Sequence, residues 1–301
     1  IYSNYAILLM KKFFVISFML TAMISACNTA PKDRTIPFEG IENARELGGL
    51  KMQDGRTIKE GKLIRSGNLS KATDADVKVL KGRFRLTDVV DFRFDAEVKG
   101  APDREIDGVT YTHLSTLPKS IIAGFSAGRT DGAEMKSQDI VGLLVKYASY
   151  PQAQEMAQKL YPAIVADSLS QKYYGEFLRT VLKADGGVLG HCSQGKDRVG
   201  CGTAFLLAAL GASRETIIED FDLSNVSYAP YVEKICAQIK ENGGGKNEIA
   251  FIQAMIGVST ENFTKALDRI ETQYGSLQNY VTNALQFSEE EQELLRGKYL
   301  R

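Results

Sequence analysis

The chain has 301 residues, which suffices for one large domain or two small ones. Its 37 lysines and arginines balance 37 aspartates and glutamates, and 44% of its residues are hydrophobic, as in ordinary globular domains. The balanced charge and the lack of a basic block argue against nucleic acid as a partner.

The first 26 residues predict a bacterial lipoprotein signal peptide. Met10, the expected true start, precedes two lysines and an apolar run of about twelve residues, shorter than the roughly 20 that a transmembrane helix needs. The run ends in Ser-Ala-Cys, similar to the lipoprotein box, which implies cleavage before Cys27 and lipidation of that cysteine. An uncleaved anchor or an ordinary secretory signal are the alternatives. Residues 27–36 predict a polar tether, and we expect the protein in the cell envelope, anchored to a membrane outside the cytoplasm.

Strand and helix patterns alternate along residues 37–301. The predicted strands are 63–66, 86–92, 109–114 and 188–191, and the predicted helices are 74–81, 168–183, 214–222, 260–274 and 288–300. Thr73 and Asp76 predict a capping box at the first helix, as Ser288 and Glu291 do at the last. The alternation favours a single α/β domain with a central sheet. Residues 118–171 differ: a small, polar stretch precedes two helical runs, around 139–148 and 152–161.

The segment HCSQGKDRVG at residues 191–200 carries the chemistry. It predicts the end of a buried strand, a tight loop and the first turn of a helix. Backbone N–H groups of such a loop and the helix N-terminus bind anions, and the same field favours the thiolate of Cys192. Six positions later, Arg198 can grip two phosphate oxygens with its planar fork.

This segment resembles the HCxxGKDRTG loop of the bacterial tyrosine/serine protein phosphatases of dual or triple specificity, which also include phosphoinositide phosphatases. Further segments of that family occur in the same order, at residues 43–49, 65–70, 91–93, 217–225 and 274–276. The resemblance implies the cysteine-phosphatase fold, with a central, mostly parallel sheet flanked by helices. It also implies that residues 118–171 form a helical lid, although the sequence alone equally allows extra helical packing beside the sheet.

Catalytic roles follow for three residues of the loop. Cys192 is expected to be the nucleophile that forms a phosphocysteine, and Arg198 to bind the phosphoryl oxygens. Asp197 is our first choice for the general acid and Asp131 the second, while Asp197 could instead only complement the helix dipole. The remaining phosphate-binding positions are expected to be Ser193, Gln194, Gly195, Lys196, Val199 and Gly200.

Several residues have open roles. Lys196 at the loop rim could bind a second phosphate, as the resemblance implies for phosphoinositide hydrolysis, or could be a solvated lysine. Val199 replaces the usual threonine or serine, whose hydroxyl assists departure of the sulfur; Ser193 or Thr203 could substitute for it. His191 is expected to support the loop rather than to act as a base.

The predicted function is hydrolysis of phosphate monoesters, chiefly protein phosphotyrosine, with phosphoserine, phosphothreonine or phosphoinositides as further substrates. The alternatives are an inositol-polyphosphate phosphatase and a catalytically weak phosphate-binding envelope lipoprotein. We expect no cofactor, no metal site and a monomer. Cys201 and Cys236 lie on apolar helical patterns, where unpaired buried cysteine is common.

Overall fold

A computed structural model describes residues 34–118, 121, 151–241 and 243–301. Cys27, Asp131 and most of the predicted lid lie outside these ranges. The strands are β1 (Arg45–Glu46), β2 (Leu63–Ser66), β3 (Leu86–Asp91), β4 (Thr110–His113) and β5 (Gly187–His191). The helices are α1 (Asp74–Gly82), α2 (Asp95–Gly100), α3 (Pro151–Ala166), α4 (Ser168–Lys183), α5 (Asp197–Leu210), α6 (Arg214–Glu241), α7 (Lys246–Ile256), α8 (Thr260–Tyr274), α9 (Leu277–Asn283) and α10 (Glu289–Tyr299).

The five strands form one sheet in the order β1-β2-β5-β3-β4. Strands β2, β5, β3 and β4 run parallel, and only the short β1 is antiparallel to its neighbour. Parallel neighbours need crossover connections, which the intervening helices supply. The predicted mixed α/β fold with a mostly parallel sheet is therefore confirmed.

Helix α5 is the centre of the main hydrophobic core. Every residue from 199 to 210 is buried, so the helix is apolar on all sides and is covered by other elements around its whole circumference. Phe205 of this helix makes an edge contact with Tyr174 of α4 and a tilted contact with Tyr280 of α9. This packing fixes the helix whose first turn carries Asp197 and Arg198.

Helix α6 is longer than the sequence predicts. The sequence pattern predicts residues 214–222, whereas the helix continues through Pro230 to Glu241. A proline inside a helix removes one backbone hydrogen bond, and here packing outweighs that cost: Ile235 and Ile239 of α6 are buried in one cluster with Phe251 and Ile252 of α7. Among the described helices, none combines the length and the apolar character that a membrane crossing requires.

Candidate active site

The segment at residues 192–196 connects β5 to α5 at the carboxyl ends of the parallel strands. Ser66, His191 and Asp91, the last residues of β2, β5 and β3, lie side by side in register. Ligands of open parallel sheets bind beyond this edge. The fold therefore places Cys192, which is buried and unpaired, where an anion site is expected.

The carbonyl oxygens of residues 193–196 all accept hydrogen bonds from side chains outside the loop. The donors are Asn68 (2.8 Å to Ser193 O), Tyr228 (2.7 Å to Gln194 O), Asn43 (2.9 Å to Gly195 O) and Arg65 (3.0 Å to Gly195 O and 3.1 Å to Lys196 O). The C=O and N–H of one trans peptide point in opposite directions. The N–H groups of residues 194–197 therefore face away from these donors, into the loop, where converging N–H groups can bind an anion.

Gly195 occupies a position where a side chain would not fit. Its φ is +68°, and a Cβ would lie 2.4 Å from the carbonyl carbon of Ser66 and 2.5 Å from the nitrogen of Gly67. Glycine thus lets the loop adopt its left-handed turn directly against the end of β2. Gly200 is similarly constrained, because a Cβ would lie 2.6 Å from the ring of Phe221.

A buried ion-pair network supports the loop from below. Arg65 NH1 donates to Asp220 Oδ2 at 2.8 Å, with both side chains only 1% exposed, while its NH2 holds the two loop carbonyls. Asp220 also pairs with Arg34 at 2.9 Å and with Arg45 at 3.3 Å. Burial alone would raise the pKa of Asp220, but the three guanidiniums hold it well below its usual range. This aspartate thus connects α6 to the loop through Arg65.

His191 lies within a second charged cluster at the ends of β3 and β5. Its Nε2 is 3.0 Å from Asp103 Oδ2, and its Nδ1 is 3.3 Å from Cys192 O, consistent with the expected structural role. Asp91, Asp103 and His191 could together present ligand atoms to a metal ion. However, Arg93 donates to both carboxylates at 2.8 Å and so supplies the positive charge between them. We therefore assign the cluster to holding the strand ends.

Glu97 is the residue of the site that sequence reasoning missed. It lies in the first turn of α2, and its carboxylate accepts hydrogen bonds from both terminal nitrogens of Arg198, at 2.5 Å and 2.9 Å, and from the hydroxyl of Ser193. Burial opposes ionisation of Glu97, but Arg198 outweighs it and keeps the pKa of Glu97 below its ordinary value. From the sequence, an acidic residue in a first helical turn signals only complementarity to the helix dipole.

Asp197 accepts a hydrogen bond from a side chain of helix α3. The hydroxyl of Tyr161 on α3 donates to Asp197 Oδ1 at 2.7 Å, and Lys196 Nζ is 3.5 Å from Oδ2. Burial, reinforced by the neighbouring carboxylate, raises the pKa of Tyr161 well above its usual value, so its hydroxyl remains a donor. Asp197 thus has one oxygen anchored while its side chain stays partly exposed.

Lys196 is neither a solvated lysine nor free to bind a second phosphate, the two roles that the sequence left open. Its residue is 5% exposed, and Nζ donates to Gly257 O at 2.7 Å and also to Met255 O. These carbonyls end helix α7, where a cation is favourable to the helix dipole. Val199 is buried beside Gly190, and Thr203 is buried one turn further along α5.

A cleft of about 400 Å³ lies over the loop. Its apolar lining includes Phe94, Leu117, Leu160 and Met255. Its polar lining comprises loop residues, among them Asp197 and Arg198, together with Glu97. The cleft thus joins an apolar wall to the predicted phosphate site.

The sheet, the loop and its position define an α/β protein of the cysteine-phosphatase fold. A family model described as the tyrosine phosphatase family matches residues 36–301, and the chain belongs to this family.

Two relatives agree with this assignment. The chain is 29% identical over 267 residues to a protein of Cupriavidus necator named as a tyrosine-protein phosphatase, an alignment that covers 88% of each chain. It is 30% identical over 248 residues to a triple specificity protein phosphatase of Mycobacterium tuberculosis, covering 75% of this chain and 87% of that protein. Phosphatase activity is thus supported at the level of the family.

Proposed function

We propose that this protein hydrolyses phosphate monoesters through a phosphocysteine intermediate, with protein phosphotyrosine as its main substrate. The observation that carries the proposal is the cleft, in which Phe94, Leu117 and Leu160 lie beside the anion-binding loop. Transfer of a phenyl ring from water to such an apolar lining is favourable, and contact with an aromatic side chain adds to the binding free energy. A phosphoserine side chain is too small to contact this apolar lining.

In the first step the Cys192 thiolate attacks phosphorus opposite the leaving oxygen. The S–P bond forms as the P–O bond breaks, and Asp197 gives its proton to the departing phenolate oxygen. Arg198 and the N–H groups of residues 194–197 bind the non-bridging oxygens, where negative charge is concentrated. The loop supports described above would keep these donors fixed during the step.

In the second step a water molecule attacks the phosphocysteine. Its oxygen bonds to phosphorus, its proton passes to Asp197, and the cysteine sulfur leaves. Val199 offers no hydroxyl to that sulfur, and the Ser193 hydroxyl donates to Glu97. We therefore expect this step to be the slower one, so that p-nitrophenol is released in an initial burst.

The decisive assay is turnover of p-nitrophenyl phosphate and of a phosphotyrosine peptide, with chelator present, by the wild type and by Cys192→Ser. We expect wild-type activity that chelator leaves unchanged, and its loss in Cys192→Ser. Undiminished activity of Cys192→Ser would refute the cysteine mechanism. Phosphoserine peptides, phosphoinositides and phytate in the same assay define the breadth of the activity, and faster phytate turnover would favour the inositol-polyphosphate alternative.

The general-acid role of Asp197 has its own test. Asp197→Asn should lower kcat/KM, which reports the first step and not the slower second one, about 10²–10⁴-fold for substrates with poor leaving groups such as phenyl phosphate. It should lower kcat/KM for p-nitrophenyl phosphate much less, because that leaving group departs without a proton. Equal losses on both substrates would contradict the role and would direct attention to Asp131.

We further propose that the protein is a monomeric envelope lipoprotein, tethered to the membrane through lipidated Cys27, with residues 118–171 as a lid. Several acyl chains would anchor it stably. Mass spectrometry of the mature N-terminus and release of Cys27→Ala into the soluble fraction test the anchor. Retention of Cys27→Ala in the membrane would contradict it.

A further inference from the structure

One carboxylate that the mechanism above does not use holds the end of the Arg198 side chain. Both oxygens of Glu97 accept a hydrogen bond from the guanidinium. Oε1 also accepts the Ser193 hydroxyl, and Oε2 accepts the backbone N–H of Phe94 at 3.0 Å. The carboxylate is therefore fixed on one side to its own helix and on the other side to the loop.

We infer that Glu97 is a positioning residue, which orients Arg198 for phosphoryl binding; the inference rests on the proposed phosphatase function. Glu97 occupies the two terminal nitrogens of Arg198. By contrast, Nε of Arg198 donates no hydrogen bond to any residue that the structure describes. On the edge formed by Nε and NH2, the described residues offer one acceptor, the Ser193 hydroxyl, 3.3 Å from NH2. A phosphoryl group that displaces this contact can bind the edge through two oxygens while Glu97 holds the two terminal nitrogens.

Holding the Arg198 side chain in place before the substrate arrives lowers the entropy cost of phosphate binding. A long arginine side chain loses rotamer freedom when it is immobilised by a ligand, and that loss weakens binding unless it has already occurred in the free protein. The Glu97–Arg198 pair is largely buried, with side chains 20% and 11% exposed. The guanidinium is thus ordered before the substrate arrives.

Electrostatics alone makes the opposite prediction. A carboxylate beside an anion site repels phosphate, so Coulomb's law predicts that phosphate binds more tightly once the charge of Glu97 is removed. Positioning predicts that phosphate binds less tightly, because Arg198 is then free to leave its orientation. The two explanations therefore predict opposite changes in phosphate affinity when the charge of Glu97 is removed.

The test compares Glu97→Gln with Asp95→Asn, a carboxylate in the same turn of α2 that is 86% exposed. Phosphate affinity is measured by calorimetry with inorganic phosphate, and kcat/KM with p-nitrophenyl phosphate. We expect Glu97→Gln to bind phosphate about tenfold less tightly and to lose about 10- to 100-fold in kcat/KM, as misplaced catalytic groups do. Asp95→Asn should match the wild type in both.

A second variant separates charge from geometry. Glu97→Asp keeps the charge but is one methylene shorter, so electrostatics predicts no change in phosphate affinity and positioning predicts a loss. It also serves if Glu97→Gln does not fold, which thermal melting would show. Unchanged or tighter phosphate binding by either folded variant would overturn the inference. If instead the wild type hydrolyses no phosphate ester, the proposed function fails, while the phosphate affinities still decide whether Glu97 orients Arg198.

Discussion

The Asp220 carboxylate compensates three guanidinium groups, two of them buried, so Asp220→Asn should both destabilise the fold and loosen the active-site loop. Asparagine keeps the volume and one acceptor oxygen, but its amide hydrogens would face Arg65 or its neighbours. Removing one partner from a buried ion pair costs about 3–5 kcal/mol. In a domain of this size each kcal/mol lowers Tm by about 2–4 °C. We therefore expect a Tm lower by about 6–20 °C, and weaker turnover because Arg65 holds two loop carbonyls.

The dependence of stability on pH should also change in Asp220→Asn. The pKa of Asp220 is lower in the folded than in the unfolded chain, so its ion pairs stabilise the fold fully above about pH 5 and lose that contribution as the pH falls below the unfolded value of about 3.9. Urea midpoints should therefore fall less between pH 5 and pH 3 in Asp220→Asn than in the wild type. Glu219→Gln, an exposed neighbour on α6, is the matched control. A variant with wild-type Tm, turnover and pH dependence would refute the role given to this network.

Three further substitutions follow from the site. Lys196→Met removes the cation at the end of α7 and should lower the free energy of unfolding in urea by about 1.5–3 kcal/mol. Its effects on phosphotyrosine and phosphoinositide turnover should be equal. A loss confined to phosphoinositide turnover would instead support a second-phosphate role. Gly195→Ala should abolish turnover, because its Cβ would overlap the backbone after β2, and wild-type kinetics would contradict the loop geometry. Tyr161→Phe should cost about 1 kcal/mol of stability and should lower kcat/KM more for phenyl phosphate than for p-nitrophenyl phosphate. Equal losses of kcat/KM on the two substrates would show that Tyr161 does not act through Asp197.

The sequence predicts local structure well where one short signal determines it. The Thr73–Asp76 capping box begins α1 at the expected residue. The strand, loop and helix around Cys192 also lie where the segment predicts them, since an apolar strand, glycines and a helix start are consecutive in the chain. The predicted end of helix α6 is wrong because packing against α7 compensates for the proline within α6, and no local sequence pattern reveals that packing.

The supports of the loop could not be predicted in the same way. Arg65 and Asp220 are 155 residues apart, and neither position has a spacing that indicates its partner. The burial of Lys196 depends on where helix α7 ends, so a loop lysine for which the sequence allowed either a second phosphate or solvent instead donates hydrogen bonds to two carbonyls. Such pairs result from tertiary packing, whereas periodicity reports only which face of an element is apolar.

Two carboxylates line the cleft on the described part of the chain, and their surroundings assign them different tasks. Both oxygens of Glu97 are engaged by the Arg198 guanidinium, and its pKa is lowered, so at neutral pH it has no proton to give. No guanidinium of the described residues binds Asp197; Tyr161 anchors one of its oxygens, and Lys196 lies 3.5 Å from the other. A proton donor must be able to exchange a proton with the leaving oxygen, whereas a positioning group must stay ionised and paired. The contacts therefore favour Asp197 as the acid and Glu97 as the residue that holds the phosphate-binding arginine.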